Sequence, residues 1–435
     1  MKTQDYEFNW FIKENGSGWE TWRELASAWL EQKQYGIDHS RTAIARFLDE
    51  YLVPRFITDP IELFTLEEQD YNKFLMPFEL SEGYRVRQNN EVCSFIDWII
   101  DTYYSEPDDN GDPVPLFQNP FNKEQNPVRR QETVYNALPF AYIKQLRSIL
   151  CPASRGHFKQ WLWAIDYSEI FFTNARFLKD WILVDESVID KADPDCVWQK
   201  HTLDKHRQIR IGGALRTLEK GDSIYLIWSP VRAMALYLKL QLPLRTFQVR
   251  MLDSGEADTW RYSNGEWQMN EQHHFAEGSD KRPWQKGVFH RIITPDIGDV
   301  MTGMYINTNK TADKNKDEIT RGYVIPWQHE EVLYWLEKLR NWQEKYNPIN
   351  KPTSIYDLDY KHFGSTKTKI QRSEIGDICF LFRNAAAYRK RERRMPITDG
   401  YVNALWVALL AQLEHDVAKK EHTLKDGAKV HFVDP

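Results

Sequence analysis

The stretch IWSPVRAMALYLKLQLPLRTFQVRML, residues 227–252, reads as two helices around a proline corner. Ser229 can cap the first helix, and Pro230 suits its first position, where the missing N–H leaves no donor unpaired. VRAMALYLKLQL then supplies the apolar helix itself, and Pro243 breaks it. LRTFQVRML begins a second helix, so Arg245 falls at the corner. Further on, VMTGMYINTNKT (300–311) and RGYVIPW (321–327) are rich in β-branched and aromatic residues. The charged ADKNKDEIT between them makes this a β-hairpin with a long loop. HEEVLYWLEKLRNWQEKY (329–346) follows as a helix, with Val332, Leu333, Leu336, Leu339 and Trp342 on one stripe.

Upstream of this block the pattern is again helical. WETWRELASAWLEQK (19–33) aligns Trp19, Trp22, Leu25, Ala26, Trp29 and Leu30. SRTAIARFLDEYLV (40–53) aligns Ile44, Phe47, Leu48, Tyr51 and Leu52, with Ser40 as a cap and Pro54 as the stop. Residues 105–130 are dense in Pro, Asn, Asp and Gly, which marks a loop or linker and a natural break. Helical signal resumes at 133–149 and runs through the Trp-rich 158–182. The expected architecture is therefore mainly α with one small β-sheet, of the α+β class. Its expected parts are a helical domain over 1–104, a linker or loop over 105–130, a helical Trp-rich region over 131–220 and a larger domain over 221–435.

Composition narrows the function. Among 435 residues there are 17 Trp, 21 Tyr and 22 Phe, enough aromatic surface to build cores and to exclude a disordered chain. No apolar run reaches the ~20 residues of a spanning helix, and the N-terminus lacks an apolar signal core, so a cytoplasmic protein is expected. The four cysteines are widely spaced with no CxxC, which argues against a disulfide framework or a cysteine zinc site. His273-His274 lacks nearby ligands at helical spacing, and neither a metal nor a cofactor is expected. Net charge is −6, which alone disfavours a phosphate partner. The distribution reverses that inference: residues 200–250 carry ten basic and three acidic side chains, net +7, and RKRERR (389–394) adds a second basic run. Arg232, Arg250, Arg389, Arg391, Arg393 and Arg394 are the candidate phosphate contacts.

The order apolar helix, arginine corner, helix, lysine-bearing hairpin resembles the first half of a tyrosine recombinase (phage integrase) catalytic domain. In detail, 227–262 and VIPWQHEEVLYWLEKLRNWQEKYNP look most like the large integrases of gamma-mobile-trio elements. The resemblance implies a helical, DNA-clamp-like N-terminal domain followed by a partial catalytic domain. Arg245 matches the family's first catalytic arginine, Lys310 its hairpin lysine, and YVIPW (323–327) its second strand. It further implies that a tyrosine hydroxyl attacks a DNA phosphate, arginines hold the non-bridging oxygens, and the lysine protonates the departing 5′ oxygen. The implied partners are double-stranded DNA and other proteins of the same mobile element, with assembly of a homo-oligomer on the DNA and no membrane.

Two departures shape the expectation. Gln248 stands three residues after Arg245, where the family usually has a carboxylate, and it is the supporting residue of the site. None of the 12 histidines opens a His-x-x-Arg pattern, so the sequence is expected to stop before the second half of the active site and to carry no nominated nucleophile. The competing readings are a non-catalytic helical DNA-binding or scaffold protein with the same fold and, more distantly, a metal-dependent nuclease.

Overall fold

The computed structural model describes residues 5–33, 36–108, 113–125, 127, 138–169, 180–211, 214–293, 298, 300–308, 322–367, 369–419 and 430–432. The chain is 48% helical and 16% strand, a mainly helical α+β architecture. It divides into two compact units, one formed by 1–136 with 365–372 and the other by 137–364 with 373–435.

The first unit contains α1 (Asn9–Asn15), α2 (Glu20–Gln32), α3 (Ile37–Arg46), α4 (Pro60–Phe64), α5 (Tyr71–Phe74) and α6 (Glu82–Tyr103), then a hairpin of β1 (Ser105–Pro107) and β2 (Pro113–Pro115). The Trp19–Leu30 stripe is buried on α2 as its spacing requires. Ser40 does not cap: α3 starts three residues earlier, after Gly36 in left-handed conformation, and the Ser40 hydroxyl donates to Glu91 at 2.7 Å. The stripe continues through a π-turn over Phe47–Leu52, and the turn Val53–Arg55 holds Pro54 as the helix ends.

Within the segment read as a loop or linker, the described residues 113–125 pack in this unit. Phe121 is buried with its ring 5.9 Å from Phe47, 5.5 Å from Tyr51 and 5.4 Å from Tyr71. Asn119 donates to the Cys93 carbonyl at 2.9 Å, and α6 returns the bond through Asn89 to the Asn122 carbonyl at 2.8 Å. Asparagine-rich sequence reads as loop because its amides bond backbone, and here they bond the backbone of a neighbouring element. The insertion 365–372 is tied in the same unit by Thr366, which bonds the Tyr6 hydroxyl and, at 3.2 Å, Asp38.

The second unit runs α7 (Phe140–Leu150), α8 (Leu162–Glu169), β3 (Trp181–Val184), β4 (Trp198–Thr202), β5 (Arg207–Ile211), β6 (Ala214–Leu218), β7 (Ser223–Trp228), α9 (Val231–Gln241) and α10 (Thr246–Arg250). Next come β8 (Trp260–Ser263), β9 (Glu266–Met269), β10 (Gly278–Ser279), β11 (Arg282–Pro283), β12 (Phe289–Ile293), β13 (Val300–Ile306) and β14 (Tyr323–Ile325). The unit closes with α11 (Glu330–Tyr346), α12 (Tyr360–Phe363), α13 (Lys369–Ile375, entering from the insertion) and α14 (Asp399–Lys419). The expected hairpin forms with Ile306 opposite Tyr323 and Met304 opposite Ile325.

One small sheet was expected; the described residues form six, each of two or three strands. The Trp-rich region turns to strand at Trp181, and β3–β7–β4 is antiparallel. WILV and SIYLIW are continuous apolar runs, which buried strands and buried helices share, so periodicity alone could not separate them. α9 is enclosed on all sides, with Val231 through Leu238 buried without a break. Helices α7, α11 and α14 pack against it.

If 113–125 is part of the first unit's core, Phe121→Ala removes a buried ring and should cost about 3–5 kcal/mol in urea unfolding followed by tryptophan fluorescence. A cost below about 0.5 kcal/mol, the surface norm, would return the segment to a linker.

Candidate functional site

The corner between α9 and α10 places Arg245 at the N-cap of α10 with its side chain in solvent. Among the described residues no ion pair holds that guanidinium. Gln248, one turn on, braces the corner on both sides. Its side-chain carbonyl accepts from the Arg245 backbone N–H at 3.0 Å, and its amide donates to the Thr308 carbonyl and the Tyr323 hydroxyl, each at 3.2 Å. An amide can cap a helix start and donate to a carbonyl at once; a carboxylate can only accept. Gln248 thus links the arginine corner to the base of the β13–β14 hairpin, where Thr308 stands two residues before Lys310 in sequence. Lys310 itself lies outside the described residues, as do the hairpin residues 309–321.

A residue that the sequence reading counted only within the basic stretch contacts Thr246, the neighbour of Arg245. Lys239, on the last turn of α9, donates to the Thr246 hydroxyl at 2.5 Å. Burial lowers its pKa, opposed by the charge of Asp399. Lys239 follows eight successive buried positions of α9, so its stem lies at the core boundary with its head near solvent.

The other basic candidates divide by burial. Arg232 and Arg250 are interior rather than helix-surface residues. Arg232 is paired with Asp180, and its guanidinium lies 4.6 Å from the ring centre of Tyr401, whose hydroxyl also bonds Asp180 at 3.1 Å. Arg250 donates to the carbonyls of His362 at 2.9 Å and Ile397 at 3.0 Å. Both sit where chain segments more than 50 residues apart meet, so their charge is spent on the fold. In the 389–394 run, Arg389, Lys390 and Arg391 are exposed. Arg393 donates to the Ala387 carbonyl at 3.0 Å, and Arg394 pairs with Asp357 at 2.5 Å.

Glu256, His273 and Glu344 bring one ligand atom each within 4.8 Å of one another, the spacing of a cation site. The donor set reads otherwise. Arg383 donates to Glu256 at 2.6 and 3.3 Å, and Arg261 forks onto Glu344 at 2.7 and 2.6 Å. The carboxylates are committed to guanidinium groups, which makes this a buried ion-pair core. Asp253 and Asp258 belong to the same layer and are no free cluster either. Asp253 accepts from the N–H groups of Gly255 and Cys379, both at 2.8 Å, and Asp258 from those of Lys286 and Gly287 at 2.8 and 2.9 Å. Burial pushes both acids above the usual carboxylate range. A carboxylate cage for a nuclease metal is not what these residues form.

The corner thus carries an exposed Arg245 next in sequence to the Thr246 hydroxyl that Lys239 contacts. The chain belongs to the integrase family: the family model described as "Putative integrase" matches residues 18–356, most of its length. No curated protein and no solved structure matches. Among the described residues, no helix is long and apolar enough to cross a membrane.

The ion-pair core carries a pH signature. Burial alone would raise the Glu344 acid, but bonds from His273 and Arg261 outweigh it and hold the pKa at about 2. Because this folded value lies below the ~4.3 of an unfolded glutamate, the stabilisation is present above pH ~4.3 and is lost as pH falls toward 2. Glu344→Gln should cost about 3–5 kcal/mol at neutral pH by stranding Arg261 and also Arg340, which lies 3.8 Å from Glu344, and the difference from the parent should shrink below pH 4 in thermal unfolding. A pH-independent difference would contradict the ion-pair assignment.

Proposed function

We propose that this integrase breaks and rejoins duplex DNA by the tyrosine recombinase reaction, with the α9–α10 corner holding the scissile phosphate. One observation carries the reading: Gln248 fixes the exposed Arg245 to the root of the hairpin whose sequence bears Lys310. In this reading Arg245 binds a non-bridging phosphate oxygen, where charge builds as the phosphorane forms. Lys239 adds positive potential from beneath, through its contact with Thr246. A tyrosine oxygen bonds to phosphorus, the P–O bond to the 5′ oxygen breaks, and Lys310 gives that oxygen its proton. The nucleophile is assigned to no residue of this sequence. Tyr401 is unsuited to the role: it is half-buried, its hydroxyl is bonded to Asp180, and desolvation raises its pKa.

The gamma-mobile-trio resemblance supports a mobile-element setting, with duplex attachment sites as substrate. The second reading, a DNA-binding scaffold that keeps the fold without the chemistry, draws support from Gln248. Its amide serves the structure fully and supplies no charge to the site.

Both readings require phosphate at Arg245. Fluorescence anisotropy on a duplex between about 50 and 200 mM salt should give affinity falling by orders of magnitude. Arg245→Ala should lower the slope of log K against log salt by about 1, with Arg245→Lys restoring it. An unchanged slope in Arg245→Ala would remove this corner from the DNA interface.

A further inference from the structure

The first unit carries a surface of the opposite character. Residues 56–72 hold five acidic side chains and residues 88–122 hold seven, and neither stretch contains a single Lys, Arg or His. The two stretches pack on each other. Gln69 N–H donates to the Pro120 carbonyl at 2.7 Å, and Phe64, Tyr104 and Phe117 meet with ring centres 5.3–5.8 Å apart. Around that aromatic knot Ile61, Leu66, Tyr103, Val114 and Leu116 are 38–55% exposed. Leu116 is held by its N–H on the Tyr104 carbonyl at 2.8 Å, and Val114 lies directly opposite Glu106 in the hairpin. Exposed Glu62, Glu67, Asp101 and Glu106 lie on the same segments. Single exposed apolar residues are ordinary, but five on two interlocked segments free of basic residues make a patch. Its acidic surroundings repel a phosphate backbone, so this face is unsuited to gripping DNA.

The complementary element is in the same sequence. Residues 384–395 form a loop closed by the Asn384 N–H on the Met395 carbonyl at 2.8 Å. The Arg393 bond to Ala387, the Arg394–Asp357 pair, and the Asn347 amide on the Arg393 carbonyl at 3.0 Å brace it further. Its tip presents Tyr388, 70% exposed, followed by the exposed Arg389, Lys390 and Arg391. We infer that the 388–391 tip of one copy docks on the acid-rimmed apolar face of a second copy. Tyr388 covers the Val114–Leu116 edge, and the three cations face Glu62, Glu67, Asp101 and Glu106. A braced loop loses little conformational freedom on docking, and opposite charge steers the encounter. The contact joins two different surfaces, so it is head-to-tail and builds rings or open chains. It stands independently of the DNA reading.

Sedimentation velocity on the full chain tests it. In about 50 mM salt the protein should sediment above its 51.7 kDa monomer mass as concentration rises, and about 500 mM salt should return it to monomer. Arg389→Glu with Arg391→Glu should weaken association roughly tenfold or more, as should Asp101→Lys with Glu106→Lys. Mixing the two charge-reversed proteins should restore it, because each then offers the other an attractive pair. All these sites are exposed, so the variants should keep the parent's melting temperature. A monomer at every concentration overturns the inference, and so does association that ignores both reversals. If the parent associates but the mixture of reversed proteins does not, some other surface is the contact, and the inference again fails.

Discussion

A guanidinium sealed from water must find its acceptors within the protein, and the second unit is organised around four that are sealed in this way. Arg232, Arg250, Arg340 and Arg383 are all among its most buried side chains. Arg232 ties the start of α9 to Asp180, Arg250 ties α10 to the carbonyls of His362 and Ile397, and Arg340 ties α11 to the Tyr262 carbonyl at 2.5 Å. Arg383 joins Glu256 to the Asn347 carbonyl, accepted at 3.0 Å. Each bond closes a loop of at least 36 residues. Removing any partner would leave a charge in low dielectric, so these contacts are hard to break singly. The α9–α10 corner is gripped from both flanks, by Arg232 and Arg250, while Arg245 between them is left to solvent. That contrast turns a helix junction into a site.

This division of labour also sorts the basic residues. Charge counts along the sequence treat all ten cations of 200–250 alike, yet Arg232 and Arg250 are interior. Burial of an arginine depends on acceptors that arrive from distant segments, such as Asp180 or the carbonyl of Ile397, and no local pattern announces them. Lys239 was hidden for the converse reason. Its helix is apolar enough that a lone lysine reads as a surface residue at the helix end, and only the fold brings Thr246 against it.

The helical stripes were legible because periodicity is a local property: α2, α9 and α11 lie where their apolar spacing puts them. The hairpin around 300–325 was legible because β-branched runs flank a charged turn. Strands β3 and β7 were not, since WILV and SIYLIW carry no alternation when both faces are covered. Loop or linker stayed open for 113–125 because asparagine and proline signal irregular backbone without saying whether it is packed. Phe121 and Asn119 show that it is. At the site, Arg245 was singled out by its match to the first catalytic arginine of the tyrosine recombinases, and the fold leaves it exposed at the start of α10. The second role of Gln248, reaching to Thr308 across 60 residues, could come only from the fold.

The central claim is that the α9–α10 corner and the hairpin root together meet duplex DNA. Hydrogen–deuterium exchange of the full chain, with and without duplex DNA at low salt, tests it directly. The account predicts that protection on DNA binding centres on peptides covering 239–250 and 305–308. Unchanged exchange at 239–250 under saturating DNA would contradict it.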